Sequence, residues 1–172
     1  MFLRRIEYKH PRSKSKKKSG KRNTSLCDCC TEPMRNIIVQ LAGQTIAVRT
    51  FGSSFMDTVP PQPIVNKYLA RLQNGQVIAI CHILYLTIDA ALVNGLDLET
   101  IRREEGECSC CEDSMTELLN QNIGNIFVFT LINGESSIAQ ILRVGEGIVL
   151  LINEEGATLV TSTCMVDNIR PI

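Results

Sequence analysis

Residues 124–163, GNIFVFTLINGESSIAQILRVGEGIVLLINEEGATLVTST, decide the fold. Short runs of apolar and β-branched residues each end at a turn rich in glycine: Asn133-Gly134, Gly145-Glu146-Gly147 and Glu154-Glu155-Gly156. Asn-Gly between two such runs is a strong hairpin signal, because glycine accepts the positive φ that a two-residue turn requires. The pattern predicts strands over 125–132, 136–144, 148–153 and 157–163, and a fifth over 169–172 after the tight turn at Asp167-Asn168. Residues 112–122, just upstream, read as helix. Asp113 and Ser114 suit its start, Met115, Leu118 and Leu119 share one face, and Gly124 ends it.

Working outward, the same plan occurs earlier in the chain. Cys27-Asp-Cys29-Cys30 returns as Cys108-Ser-Cys110-Cys111, a shift of 81 residues that also carries Met34 onto Met115 and Gly43 onto Gly124. Cys81 matches Cys164 at a shift of 83, so the second copy carries a two-residue insertion, and all eight cysteines are accounted for. In the first copy Thr31 can cap a helix with Glu32 and Pro33 in its first turn, and Met34, Ile37, Ile38 and Leu41 fall at helical spacing before Gly43. Residues 44–51 read as the first strand and Gly52-Ser53-Ser54 as its turn. Pro60-Pro61-Gln62-Pro63 breaks the ladder after a shortened second strand. Residues 67–73 and 76–83 form a hairpin about Asn74-Gly75, and 85–88 closes the unit.

A short helix followed by five strands is the order of a small SH3-like or Sm-like barrel, whose curling removes the open edges of a flat sheet. The expectation is a mainly β protein with short helices. It would hold two tandem five-stranded barrels, each preceded by a short amphipathic helix. Residues 1–26 would be a disordered basic tail, 27–89 the first repeat, 90–107 an acidic linker with a helix over 97–105, and 108–172 the second repeat. Units of this size sit near the lower limit for independent folding, so they should pack together.

Charge is divided between the segments although the formal net charge is zero. Residues 1–22 carry ten Lys and Arg against the single acid Glu7, leaving an acidic body. The basic N-terminus lacks the apolar stretch of a secretory signal, which points to synthesis in a cytosol. The longest apolar run, residues 77–93, contains His82 and Asp89 and is rich in β-branched residues, so it reads as buried strand rather than membrane span.

The succession of short helix, glycine, strand, Asn-Gly, apolar strand, acidic-Gly turn and a final strand ending in a His-Ile or Met-Val step runs from Ile123-Gly124 to Ile172. It recurs from Ala42-Gly43 to Ile88, with Cys81-His82-Ile83 at the matching step. It resembles the repeated modules of spore coat protein B of endospore-forming bacilli, and the C-x-C-C clusters are similar to those of small cysteine-rich coat and exosporium proteins. The resemblance implies a structural, non-catalytic component of the spore coat or exosporium, made in the mother-cell cytoplasm. Its partners would be other coat proteins and further copies of itself.

Cys27, Cys29, Cys30, Cys108, Cys110 and Cys111 are the candidates for crosslinking or metal binding. Cys81 and Cys164 are read as small buried hydrophobes or as fourth ligands. Four cysteines per repeat match a Cys₄ zinc site, and Cys27 with Cys30, or Cys108 with Cys111, has C-x₂-C spacing. Disulfides within or between chains are the competing use, since vicinal cysteines strain against pairing with each other. Catalysis finds no motif. Cys81 and His82, adjacent on an expected strand, would point to opposite faces, and no small-molecule substrate is evident. The tail residues Lys14, Lys16, Lys17, Lys18, Lys21 and Arg22 are the candidates for contact with an anionic partner. As a tether they would hold acidic neighbours or an anionic polymer; alternatively, an Sm-like protein would use them on nucleic-acid phosphates.

Overall fold

A computed structural model of the chain describes residues 26–101 and 108–172. The expected tail, with its six candidate basic residues, and residues 102–107 of the linker lie outside the described residues. In the first repeat, helix α1 (Leu26–Gln40) precedes strands β1 (Thr45–Thr50), β2 (Ser54–Thr58), β3 (Ile64–Asn66), β4 (Leu69–Arg71), β5 (Val77–Ala79) and β6 (Ile83–Ile88). In the second, α2 (Cys108–Asn120) precedes β7 (Ile126–Leu131), β8 (Ser136–Gly145), β9 (Ile148–Asn153), β10 (Thr158–Ser162) and β11 (Val166–Pro171). A 3₁₀ turn stands before the last strand of each repeat, at Ile80–His82 and Thr163–Met165.

Both helices stop where the sequence places a glycine, with Gly43 at φ +82 and Gly124 at φ +88, a conformation that L side chains resist. Met34, Ile37, Ile38 and Leu41 are buried, as their spacing predicts. Two details of the helices differ from expectation. Both take in the cysteine clusters rather than starting after them, α1 from Leu26 and α2 from Cys108, with Pro33 accommodated inside α1. On α2, Leu119 is buried but Leu118 is exposed, so the apolar face there is narrower.

Eight strands form one antiparallel sheet in the order β11-β7-β8-β9-β10-β6-β1-β2, and β3-β4-β5 form a second. The second repeat thus keeps its five strands together, whereas the first is split after β2, where the proline-rich segment at 60–63 interrupts pairing. Two closed five-stranded barrels were the expectation. Among the described residues both sheets are open instead, because β10 spends its free edge on β6 of the other repeat rather than closing its own unit.

This inter-repeat pairing merges the cores. One apolar cluster contains α1 and first-repeat residues such as Leu86 and Ile88, yet also Ile148, Leu150 and Val160 of the second repeat. The other contains Leu119, Phe129, Ile141, Val149 and Leu159, yet also Leu84 of the first repeat. Successive residues of β9 alternate between the two clusters, so this strand is buried on both faces and reads as a continuous apolar run.

The linker departs from its expected helix over 97–105. Ala90–Gly95 is a 3₁₀ helix, and residues 96–101 run without helical structure. Tertiary contacts hold them that way. The Gln40 amide bonds Asp97 at both backbone groups, Asn36 Nδ2 donates to Glu99 Oε1 at 2.6 Å, and Glu146 N donates to Glu99 O at 3.0 Å. Gly145 permits this approach, since a Cβ there would stand 2.6 Å from Leu98 Cβ. Arg143 clamps the same strap by donating to the carbonyls of Val93 and Leu96. The apolar run 77–93 is correspondingly not one strand but β5, a 3₁₀ turn, β6 and the start of the next 3₁₀ helix. No helix among the described residues is long and apolar enough to cross a membrane.

Candidate functional site

The seam between the repeats brings together two of the candidate cysteines and an ion pair. Its backbone is the β6·β10 ladder, which sets Thr158 opposite Ile88, Leu159 opposite Thr87, Val160 opposite Leu86 and Thr161 opposite Tyr85. Leu86 and Val160 have no exposed surface. Above the ladder, Cys30 near the start of α1 forms a disulfide with Cys164 in the 3₁₀ turn after β10, with Cα atoms 5.6 Å apart. Ser162 Oγ donates to the Cys30 carbonyl at 3.4 Å. A second tie crosses lower down: Arg49 of β1 pairs with Glu135 in the β7–β8 turn, its Nε 2.9 Å from Oε1. The Arg49 hydrogen bond holds the Glu135 carboxyl below its ordinary pKa.

The structure distributes the candidate cysteines unevenly. Cys30 and Cys164 meet, although the sequence groups them in different repeats. Cys164 is therefore half-buried and bonded rather than a free core thiol. Cys81, also expected to be buried, is a free and exposed thiol. The reason is local: Cys81 and His82 lie in a 3₁₀ turn, not on a strand, and the turn carries Cys81 outward. His82 instead meets Phe51 edge-on, with ring centroids 6.0 Å apart. Cys27, Cys29, Cys108, Cys110 and Cys111 fall in the opening turns of the two helices, and their side chains lie outside the described residues.

Beside the seam, a cleft of about 320 Å³ opens on the sheet, with Leu151 and Leu159 among its apolar lining and Tyr85, Thr87, Glu135 and Glu155 among its polar lining. Burial raises the pKa of the Tyr85 hydroxyl. Sequence reading missed both this cleft and the buried polar network behind α2. There Glu112, 2% exposed, accepts hydrogen bonds from Thr116 Oγ1 at 2.7 Å and Thr163 Oγ1 at 3.4 Å. One carboxylate oxygen from each of Glu112, Asp113 and Glu146 lies within 4.8 Å of the others, a spacing that suits a divalent cation or a shared proton. The only hint in the sequence was that Glu112 opens the predicted helix beside Asp113.

Burial, above all, raises the Glu112 pKa from 4.5 to about 7, with the neighbouring acids Asp113 and Glu146 adding to the effect. Between those values the folded chain holds a proton that the unfolded chain has released. Stability is therefore highest below pH 4.5 as far as this group is concerned and declines as pH rises to about 7, by up to about 3 kcal/mol. Denaturant melts of the parent and of Glu112→Gln at pH 5, 6 and 7 check this. The parent should lose stability across the series relative to the variant, and parallel curves would show that Glu112 does not carry the effect.

Comparisons with protein-family models, with curated proteins and with solved structures each find no match.

Proposed function

We propose that this chain is a structural component of the bacterial endospore surface, coat or exosporium, that assembles into a thiol-crosslinked layer. The observation that carries the reading is the Cys30–Cys164 disulfide, which shows a cluster cysteine joining one repeat module to another across a shared β-ladder. A layer built of such modules needs that kind of bond. The second repeat is read as a five-stranded SH3-like or Sm-like barrel that has opened along one edge, and the first as a six-stranded variant of the same plan split over two sheets, the open edges serving for contact. The resemblance of residues 42–88 and 123–172 to spore coat modules supplies the location.

Zinc competes for the same thiols, but a disulfide sulfur is no longer a thiolate ligand, so Cys30 and Cys164 as bonded here favour crosslinking. The basic tail would recruit the acidic body of a neighbouring copy or an anionic envelope polymer. Two measurements test the reading. Spores of the organism encoding the chain should release it into detergent only when a thiol reductant is added, and recovery in the soluble mother-cell fraction would overturn the location. Purified protein treated with oxidised glutathione should form covalent multimers that collapse on reduction; a chain that stays monomeric would overturn the role.

A further inference from the structure

The seam inside the chain has two unmet counterparts at its ends. A shift of 83 residues carries the 3₁₀ turn Ile80–His82 onto Thr163–Met165, β6 onto β11, and β5 onto the last three residues of β10. Within the chain, the last strand of repeat one pairs with the fourth-position strand of repeat two. The last strand of repeat two, β11, pairs only with β7, and the matching strand of repeat one, β5, pairs only with β4. Both are sheet edges, with backbone groups available for another strand.

We propose that copies of this chain join head to tail, β11 of one molecule adding antiparallel to β5 of the next, and that Cys111 of the first then bonds Cys81 of the second. The inference rests on the structural, crosslinked reading above and names its contact.

Three observations support the match. Moving the internal register by the repeat shift turns the pair Leu86 and Val160 into Ile169 and Val77. Leu86 and Val160 are fully buried, whereas Ile169 is only partly covered against its cluster and Val77 is 45% exposed, so pairing would seal an apolar contact left open in the single chain. Secondly, β10 is buried along its whole length while β5 is exposed at its outer position, and β6 is largely buried while β11 is largely exposed. In each pair the strand that has a partner across the internal seam is the more buried one. Thirdly, the repeat shift carries the bonded pair onto the thiols named: Cys30 corresponds to Cys111, and Cys164 to Cys81, which is free and exposed. The other edges, β2 and β3, have no counterpart across the internal seam.

The covalent step needs an electron acceptor, and a small-molecule disulfide such as oxidised glutathione supplies it. The two thiols lose two electrons and two protons, one S–S bond forms between chains, and the glutathione S–S bond breaks to give two thiols. Because the contact joins two different surfaces, it repeats from copy to copy and produces a ring or an open filament according to the rotation per step.

The test oxidises the full chain with glutathione disulfide and maps the crosslinks by mass spectrometry of peptides from non-reduced protein. A ladder of multimers containing the Cys81–Cys111 peptide is expected. Cys81→Ser should retain Cys30–Cys164 and lose that ladder. Val77→Lys, which alters an exposed position of the single chain, should suppress the ladder while leaving the melting temperature of the monomer unchanged. Multimers that lack the Cys81–Cys111 peptide, or that form undiminished in either variant, would overturn this contact while leaving a crosslinked structural role standing. Absence of any multimer would overturn both.

Discussion

Leu150→Ala, in the second repeat, is expected to lower the stability of both repeats together by about 2–5 kcal/mol, the usual range for emptying a fully buried leucine site. Leu150 has no exposed surface and belongs to the cluster built around α1, β1 and β6, so the cavity opens in the core of the first repeat. The chain offers a convenient probe. It has no tryptophan, and its described tyrosines, Tyr68 and Tyr85, both lie in the first repeat. With the third tyrosine, Tyr8 of the N-terminal tail, replaced by phenylalanine in parent and variant alike, tyrosine fluorescence reports on one repeat while the substitution sits in the other. In a urea melt the fluorescence midpoint should fall with the substitution and coincide with the far-ultraviolet circular dichroism midpoint. A fluorescence transition that stays at the parent's midpoint would mean two independently folding units, contrary to the merged clusters.

Much of this architecture is legible in the sequence because local signals carry it. Asn133-Gly134 and Asn74-Gly75 fix hairpins through backbone conformation alone, and the spacing of Met34, Ile37, Ile38 and Leu41 marks a helix face without knowledge of what covers it. The strands of the second repeat accordingly fall within a residue or two of expectation, apart from the start of β11. What escapes is set by non-local pairing. An open edge on β10 reads identically whether it closes a barrel or adds to β6, since period-2 patterning identifies a buried strand but not its neighbour. The linker shows the same limit: residues 97–101 have acceptable helical composition, yet Gln40, Asn36 and Gly145 hold them extended through contacts far off in sequence.

The cysteines show where the repeat itself misleads. Equal numbers at nearly equal offsets suggest that each copy uses its own four thiols, a grouping that puts Cys30 with Cys81. The internal repeat is real, but the bonded pair straddles it, running from the helix of one module to the last 3₁₀ turn of the next. Glu112 was invisible for a different reason. Nothing in a sequence distinguishes a carboxylate on the solvent side of a helix from one turned toward Thr116 and Thr163.

Loss of the Cys30–Cys164 bond should cost about 3–5 kcal/mol, because it closes a loop with a sequence separation of 134 residues and so restricts the unfolded chain strongly. Cys164→Ser and Cys81→Ser, compared under non-reducing conditions as monomers, separate this effect from the mere loss of a thiol. The first should shift the denaturation midpoint markedly and the second should leave it near that of the parent, since Cys81 is exposed and unbonded. Equal midpoints in the two variants would show that the disulfide contributes nothing. The seam itself should survive reduction, for the Leu86 and Val160 contact and the β6·β10 ladder owe nothing to sulfur. A native state is typically worth only about 5–15 kcal/mol, so the reduced protein should be folded but much closer to its unfolding threshold. The order of events follows from that difference: apolar burial brings Cys30 to Cys164 while thiols are still reduced, and oxidation then locks a seam that is already formed. A chain that needed the bond in order to fold would instead show no cooperative transition in reductant.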